Sequence, residues 1–205
     1  MFPLPDIHGL LSDINQNTRS LFLKRLAEIY AAMDQKYRDA ADHYGFSCTG
    51  CDDNCCLTRF YHHTLLEYLY ILKGFRRLES KKQTELKNRA LDVCQKAELA
   101  DEKGLSVRLM CPLNVDGLCL LYKHRPMICR MHGIPHELKS PDGRRVHGPG
   151  CDAFSRQCME KSDFNFDRTP FYLEMALLEK ELKQTAGAMG KVRFTVAQML
   201  LSFHK

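Results

Sequence analysis

The sequence lacks most of the features that name a function at sight. None of its apolar runs approaches the roughly 18 residues that a membrane-spanning helix needs. Residues 1–13 do not pair a basic segment with an apolar one, so export is not expected. HExxH, the P-loop and the dinucleotide-binding glycine fingerprint are all missing, and no Ser-His-Asp arrangement stands out. No internal repeat, low-complexity tract or interdomain linker is visible. A net charge of +5 with nine histidines is too mild and too dispersed to indicate nucleic acid. The expectation is therefore a cytoplasmic chain that binds neither membrane nor nucleic acid.

What is present is ordinary in bulk and unusual in one respect. A hydrophobic fraction of 44% and a charged fraction of 27% over 205 residues suit one globular domain with its own core. The ten cysteines are the exception. In a reducing compartment, clustered thiols hold metal more often than they form disulfides. Four of them fall within nine residues, Cys48-Thr-Gly-Cys51-Asp-Asp-Asn-Cys55-Cys56. Thr49, Gly50, Asp52, Asp53 and Asn54 are turn formers, which lets successive side chains converge. A CxxC pair is the usual first half of a metal site. Cys111, Cys119, Cys129 and Cys151 follow downstream and are expected to return to the first group. Cys94 and Cys158 read as small buried hydrophobes.

The surrounding pattern is mainly α: a helical scaffold around an irregular cysteine-rich region with one or two short β-hairpins. Leu23, Leu26, Tyr30, Met33, Tyr37, Ala41 and Tyr44 form one stripe on a helix over about 12–44, which Gly45 ends. It packs on its own chain or meets a coiled-coil partner. A second helix is expected over Leu57–Leu78 with Thr58 as N-cap, and a third from Ser80, as N-cap, to about Lys103. The third buries Leu86, Ala90, Leu91, Val93, Cys94, Ala97 and Leu99. Asp116-Gly117 between apolar flanks signals a type I′ hairpin. A strict two-residue hairpin sends Cys111 and Cys119 to opposite faces, so either Pro112 bends Cys111 back or the two do not share one atom. Pro126 and Gly133 frame one or two helical turns carrying Cys129. Ser140-Pro-Asp-Gly143 is a turn between short strands, and Gly148-Pro-Gly150 delivers Cys151 in a loop. Helices follow over about 170–186 and from Thr195 to about Phe203.

In this order the residues resemble the YkgJ-like family, a zinc- or iron-chelating cysteine-cluster domain. The resemblance rests on Cys48, Cys51 and Cys55-Cys56; on Cys111-Pro112-Leu113; on Gly117-Leu118-Cys119-Leu120-Leu121-Tyr122; on Arg125-Pro126-Met127-Ile128-Cys129-Arg130; and on Cys151. It covers about residues 48–151. It implies a metal or iron–sulfur centre and little about a reaction. Some relatives are described as flagellin lysine N-methylases, but no glycine-rich nucleotide turn here supports methyl transfer.

All-thiolate ligation suits a zinc ion or an iron–sulfur cluster and disfavours calcium and magnesium. The adjacent pair Cys55-Cys56 is awkward for one small ion and easier across a cluster, which makes iron–sulfur the first choice and zinc the alternative. The expected ligands are Cys48, Cys51, Cys55, Cys56, Cys111, Cys119, Cys129 and Cys151, or a subset. Arg125 and Arg130 are expected beside the bound group, as anion contacts or as donors to sulfur and loop carbonyls. His124, His132 and His147 read as loop histidines, His62 and His63 as exposed positions on the second helix, and Tyr122 as a packing residue. Three functions are compatible with this: a redox or accessory protein with a redox partner, a zinc-stapled interaction module, or an enzyme acting through an open coordination position.

Overall fold

A computed structural model describes residues 14–48, 55–140, 142–158, 164–188 and 190–203. Helix α1 spans Gln16–Tyr44. Asn15 caps it by accepting from the Thr18 N–H at 2.9 Å, and Gly45 ends it in the left-handed conformation at φ 60°. The expected stripe is the one it buries: Leu23, Leu26, Tyr30, Met33 and Tyr44 are inside, with Tyr37 and Ala41 half-buried beside them. It packs on its own chain, chiefly on α4 (Met127–Met131) and α6 (Thr169–Thr185).

The second helix departs from expectation. Helix α2 runs Leu65–Phe75 and begins well after Thr58. Its cap is Thr64, whose hydroxyl accepts from the Glu67 N–H at 3.1 Å while donating to the Glu67 carboxylate at 2.8 Å. Two further N–H groups of its first turn, on Leu65 and Leu66, are taken by Glu179 of α6. With the start so well satisfied, the preceding residues are released to extended chain, and His62 pairs there with Phe194. Helix α2 is buried nearly all round and forms the centre of the core; each fully buried Leu or Phe contributes about 1.5–3 kcal/mol.

Helix α3 spans Ser80–Glu102 and lies along α7 (Val196–Ser202), its most extensive helical partner. Ser80 is inside α3 rather than its cap, and the cap position, Glu79, makes no side-chain bond. Leu86, Ala90, Cys94 and Ala97 face the core as expected, but Leu91 and Leu99 are about half exposed, on the far side of the helix. Helix α7 carries the capping box announced by Thr195 and Gln198. A further helix, α5 (Asp152–Cys158), had no counterpart in the sequence reading.

Two small antiparallel sheets complete the fold. Strands β1 (Asn114–Val115) and β2 (Leu118–Cys119) form the Asp116-Gly117 hairpin, with both turn residues at positive φ (51° and 82°) as type I′ requires. Strands β3 (His136–Lys139) and β4 (Arg145–Gly148) pair from His136↔Gly148 to Lys139↔Arg145. Among the described residues no helix is long and apolar enough to cross a membrane.

Candidate functional site

A cavity of about 330 Å³ lies where α1, α3, α4, α7 and the β1–β2 hairpin meet. Its wall includes Cys48, Cys55, Cys56, Cys111, Cys119, Cys129 and Cys151, so seven of the eight expected thiol residues reach one place. Cys51 lies outside the described residues. Cys94 also lines the cavity, from the helical side, in addition to being buried as expected. Cys158 stays apart, with its thiol donating to the Tyr44 carbonyl at 3.5 Å.

Each thiol is delivered by a short, well-bonded segment. Cys55 and Cys56 occupy one turn of 3₁₀ helix over Cys55–Leu57. The Cys56 carbonyl accepts from the Cys111 N–H at 2.8 Å, joining the first cysteine group to the second. The chain then turns at once, with the Asn114 N–H bonded to the Cys111 carbonyl at 2.9 Å. That bend through Pro112 and Leu113 brings Cys111 back to the cavity that Cys119 also lines. Cys129 sits mid-way along α4. The Cys151 N–H bonds the Gly133 carbonyl at 3.0 Å, and its sulfur accepts from the Phe154 N–H at 3.4 Å at the start of α5.

The thiols act on one another electrostatically. Burial pushes Cys111 up to about 12 and raises Cys119 and Cys129, and the charges of neighbouring thiolates add to the rise at all three. Cys55 donates to Cys56, pulling Cys56 below the ordinary thiol range and lifting Cys55 above it. Such a group ionises together only if positive charge is supplied among the sulfurs.

Arg125 and Arg130 line the same cavity, but their N–H groups serve the loop that carries Cys129. Arg130 is 3% exposed; it donates to the carbonyls of Arg125 and Lys123 and to Asp34 of α1 at 2.6 Å. Arg125 donates to the Tyr122 carbonyl and to the other oxygen of Asp34. Of the two expected roles, donation to loop carbonyls is the one seen. Tyr122 packs under the Arg125 guanidinium at the rim and is 62% exposed. Arg59 pairs with Asp101 at 2.8 Å. Of the loop histidines, His132 lines the cavity, His124 packs against Gly74 and Tyr70, and His147 is exposed on β4.

His62 corrects the sequence reading most sharply. Expected on a helix surface, it is 2% exposed and contributes to the cavity wall. Its backbone N–H and C=O both bond Phe194, at 2.7 and 2.9 Å. Its Nδ1 lies 3.6 Å from Glu67 Oε1, and its Nε2 is buried without a hydrogen-bond partner. The same Glu67 oxygen accepts from the Met127 N–H at 3.2 Å, at the first residue of the helix bearing Cys129. Burial works to raise the Glu67 carboxyl, but His62, Thr64 and Met127 hold it below the usual range. The signal for this was Thr64-x-x-Glu67, a capping-box spacing that starts the helix after His62.

The residue set can be tested against what it would hold. Sulfur donors suit zinc or iron–sulfur. Four thiolates on one zinc converge at about 2.3 Å from it. Among the described residues no three His, Cys, Asp or Glu side chains are grouped to hold one ion. The seven cysteines line one cavity without that grouping. The Asn114 side chain lies beside Cys56, and its hydrogen bond helps to lower that thiol.

No family model, curated protein or solved structure matches this chain. The resemblance to YkgJ-like domains thus stands on the ordered motif alone. The apolar side of the cavity, with Val93 and Ala97 of α3, Val196 and Ala197 of α7, and Leu109 and Leu113 of the irregular chain, lies partly outside that motif.

Proposed function

We propose that this chain is a metal-binding cysteine-cluster protein of YkgJ-like type, holding an iron–sulfur cluster for a redox or accessory role. The ligands are drawn from Cys48, Cys51, Cys55, Cys56, Cys111, Cys119, Cys129 and Cys151. One observation carries the reading: thiols from four separate stretches of chain line a single cavity. Thiol side chains placed for packing alone have no reason to converge so, and their mutual charge opposes it. The adjacent pair Cys55-Cys56, awkward for one small ion, favours a cluster over a single zinc ion.

A bound cluster supplies one-electron transfer. The chain's own residues do the rest. Arg130 and Arg125 hold the loop carbonyls and fix Cys129, Asp34 ties both to α1, and apolar residues form the facing wall. Leu118, 75% exposed on β2 next to Cys119, and Tyr122 at the rim mark where a redox partner protein would come closest.

Iron, zinc and acid-labile sulfide per chain, measured on anaerobically purified protein with its visible spectrum, test the proposal. Near-stoichiometric iron and sulfide with a brown chromophore support it. Colourless protein carrying zinc assigns the same thiols to a structural staple instead. Folded protein with neither removes the proposal.

A further inference from the structure

We propose that the exposed face around Lys73, Arg77, Lys123 and His124 is a docking surface for an acidic protein, the partner of the neighbouring centre. What that partner does rests on the metal-centre reading above. That it is acidic rests on a charge arrangement independent of any metal.

The His124 ring builds the face. It is seated on α2 at Gly74, where a Cβ would lie 2.6 Å from its Cγ, and it meets Tyr70 at 5.1 Å. This seat joins the 3₁₀ turn Tyr122–His124 to the end of α2. Lys123 is thereby brought to the same end of the molecule as Lys73 and Arg77, which stand one residue before and three after Gly74. Lys73, Arg76, Arg77 and Lys123 are all exposed. Burial, and then Arg77, Lys73, Arg130 and Lys123, lower the His124 pKa, which places these cations around one ring.

The charge is not balanced locally. Among the described residues none of Lys73, Arg76, Arg77 and Lys123 pairs with a carboxylate, and Glu79, the next acid along the chain, reaches none of them. The C-terminal end of α2 accounts for part of the excess. A helix end carries only about half a negative charge, so one cation satisfies it. Four exceed it, and Lys123 arrives from another part of the chain. A surface kept merely soluble intersperses both signs.

The apolar neighbours select protein over other anions. In the stretch from Leu118 to His124, Leu118, Leu120 and Tyr122 are exposed while Cys119 between them lines the cavity. Exposed leucine and tyrosine bordered by one sign of charge combine apolar contact with electrostatic steering, the composition of a protein interface. A phosphate backbone is held by charge and gives two leucines nothing to bury against. A membrane-surface anchor presents such residues on an amphipathic helix, whereas these stand on a hairpin and a turn.

The test is fluorescence anisotropy of a labelled peptide in which glutamates flank a leucine, titrated with the full chain. Binding is expected at low ionic strength and should weaken toward about 0.15 M salt. Lys73→Gln/Arg77→Gln/Lys123→Gln, all exposed positions, should lower affinity about tenfold. Lys24→Gln/Lys180→Gln/Lys191→Gln removes the same charge from exposed lysines elsewhere and should change it less than about twofold. Leu118→Ser should abolish the advantage of this peptide over an all-glutamate one. Absence of salt-sensitive binding, or equal losses in the two triple variants, overturns the inference whatever the metal content. Tighter binding of duplex DNA or of phosphatidylserine vesicles, lost in the first triple variant, overturns it in favour of another class of partner. Face-dependent peptide binding by a chain that holds neither iron nor zinc keeps the docking surface and sinks the centre, so the two readings fail separately.

Discussion

Arg130 on α4 donates to Asp34 on α1 at 2.6 Å, and the residue before Arg130 is Cys129. The guanidinium is buried over the Tyr30 ring, so its charge depends on Asp34 for compensation. Burial lowers the Arg130 pKa, and Asp34 works against that. The pair therefore sets the position of a cavity thiol by clamping two helices.

Removing the carboxylate leaves a buried cation with only carbonyl partners. Asp34→Ala is expected to lower unfolding free energy by about 2–4 kcal/mol, at the lower side of buried-pair losses because Asp34 is itself partly exposed. Urea denaturation of the two proteins measures it. A loss under about 0.5 kcal/mol would mean that the clamp is incidental.

Glu67 gives a pH dependence with a defined sign. Its carboxyl is held below the usual range in the fold. It contributes stability above the unfolded carboxylate value, near about 4.3, and loses it as pH falls through the lower folded value. Glu67→Gln should be less stable than wild type by about 1–3 kcal/mol at pH 5, and the gap should shrink on going to pH 3. A gap that widens on acidification contradicts the assignment.

Glycine to alanine inside a helix ordinarily stabilises, by about 0.5–1 kcal/mol. At Gly74 of α2 the sign reverses. A Cβ there would sit 2.6 Å from His124 Cγ, near the root of a ring that also meets Tyr70 at 5.1 Å. Gly74→Ala is expected to cost about 1–3 kcal/mol, read as a lower melting temperature.

The proposed metal centre divides the thiols by role. Cys129→Ser and Cys111→Ser should each lower bound metal per chain and lower stability with it. Cys94→Ser, on the helical side of the cavity, should leave metal content unchanged. Equal metal loss in Cys94→Ser would place Cys94 among the ligands.

Much of the architecture was readable from residue pattern. The α1 stripe, the Gly45 stop, the Asp116-Gly117 hairpin and the Thr195 cap all act through local chemistry, and local chemistry is what a sequence displays. The start of α2 is misplaced when Thr58 is taken as the cap, because the capping-box spacing Thr64-x-x-Glu67 is passed over. Glu179, a partner from α6 far along the chain, then reinforces that start. His62 is misjudged with it, since its burial follows from pairing with Phe194. Asp34 and Asn114 gave no signal at all. Their parts depend on which distant group lies opposite them. For the thiols, spacing predicted that they belong together, and the bend at Pro112–Leu113 shows how Cys111 and Cys119 reach one cavity across a hairpin.

The last wall of the cavity to be synthesised is α7, which supplies Val196 and Ala197 and, through Phe194, the partner strand of His62. Every thiol of the cavity precedes it in the chain. Roughly 45 residues separate Cys151 from Val196, which is several seconds of translation at about 5–20 residues per second. During that interval a growing chain carries its sulfurs with one side of their chamber unbuilt. Arrival of α7 adds the wall that Val196 and Ala197 supply.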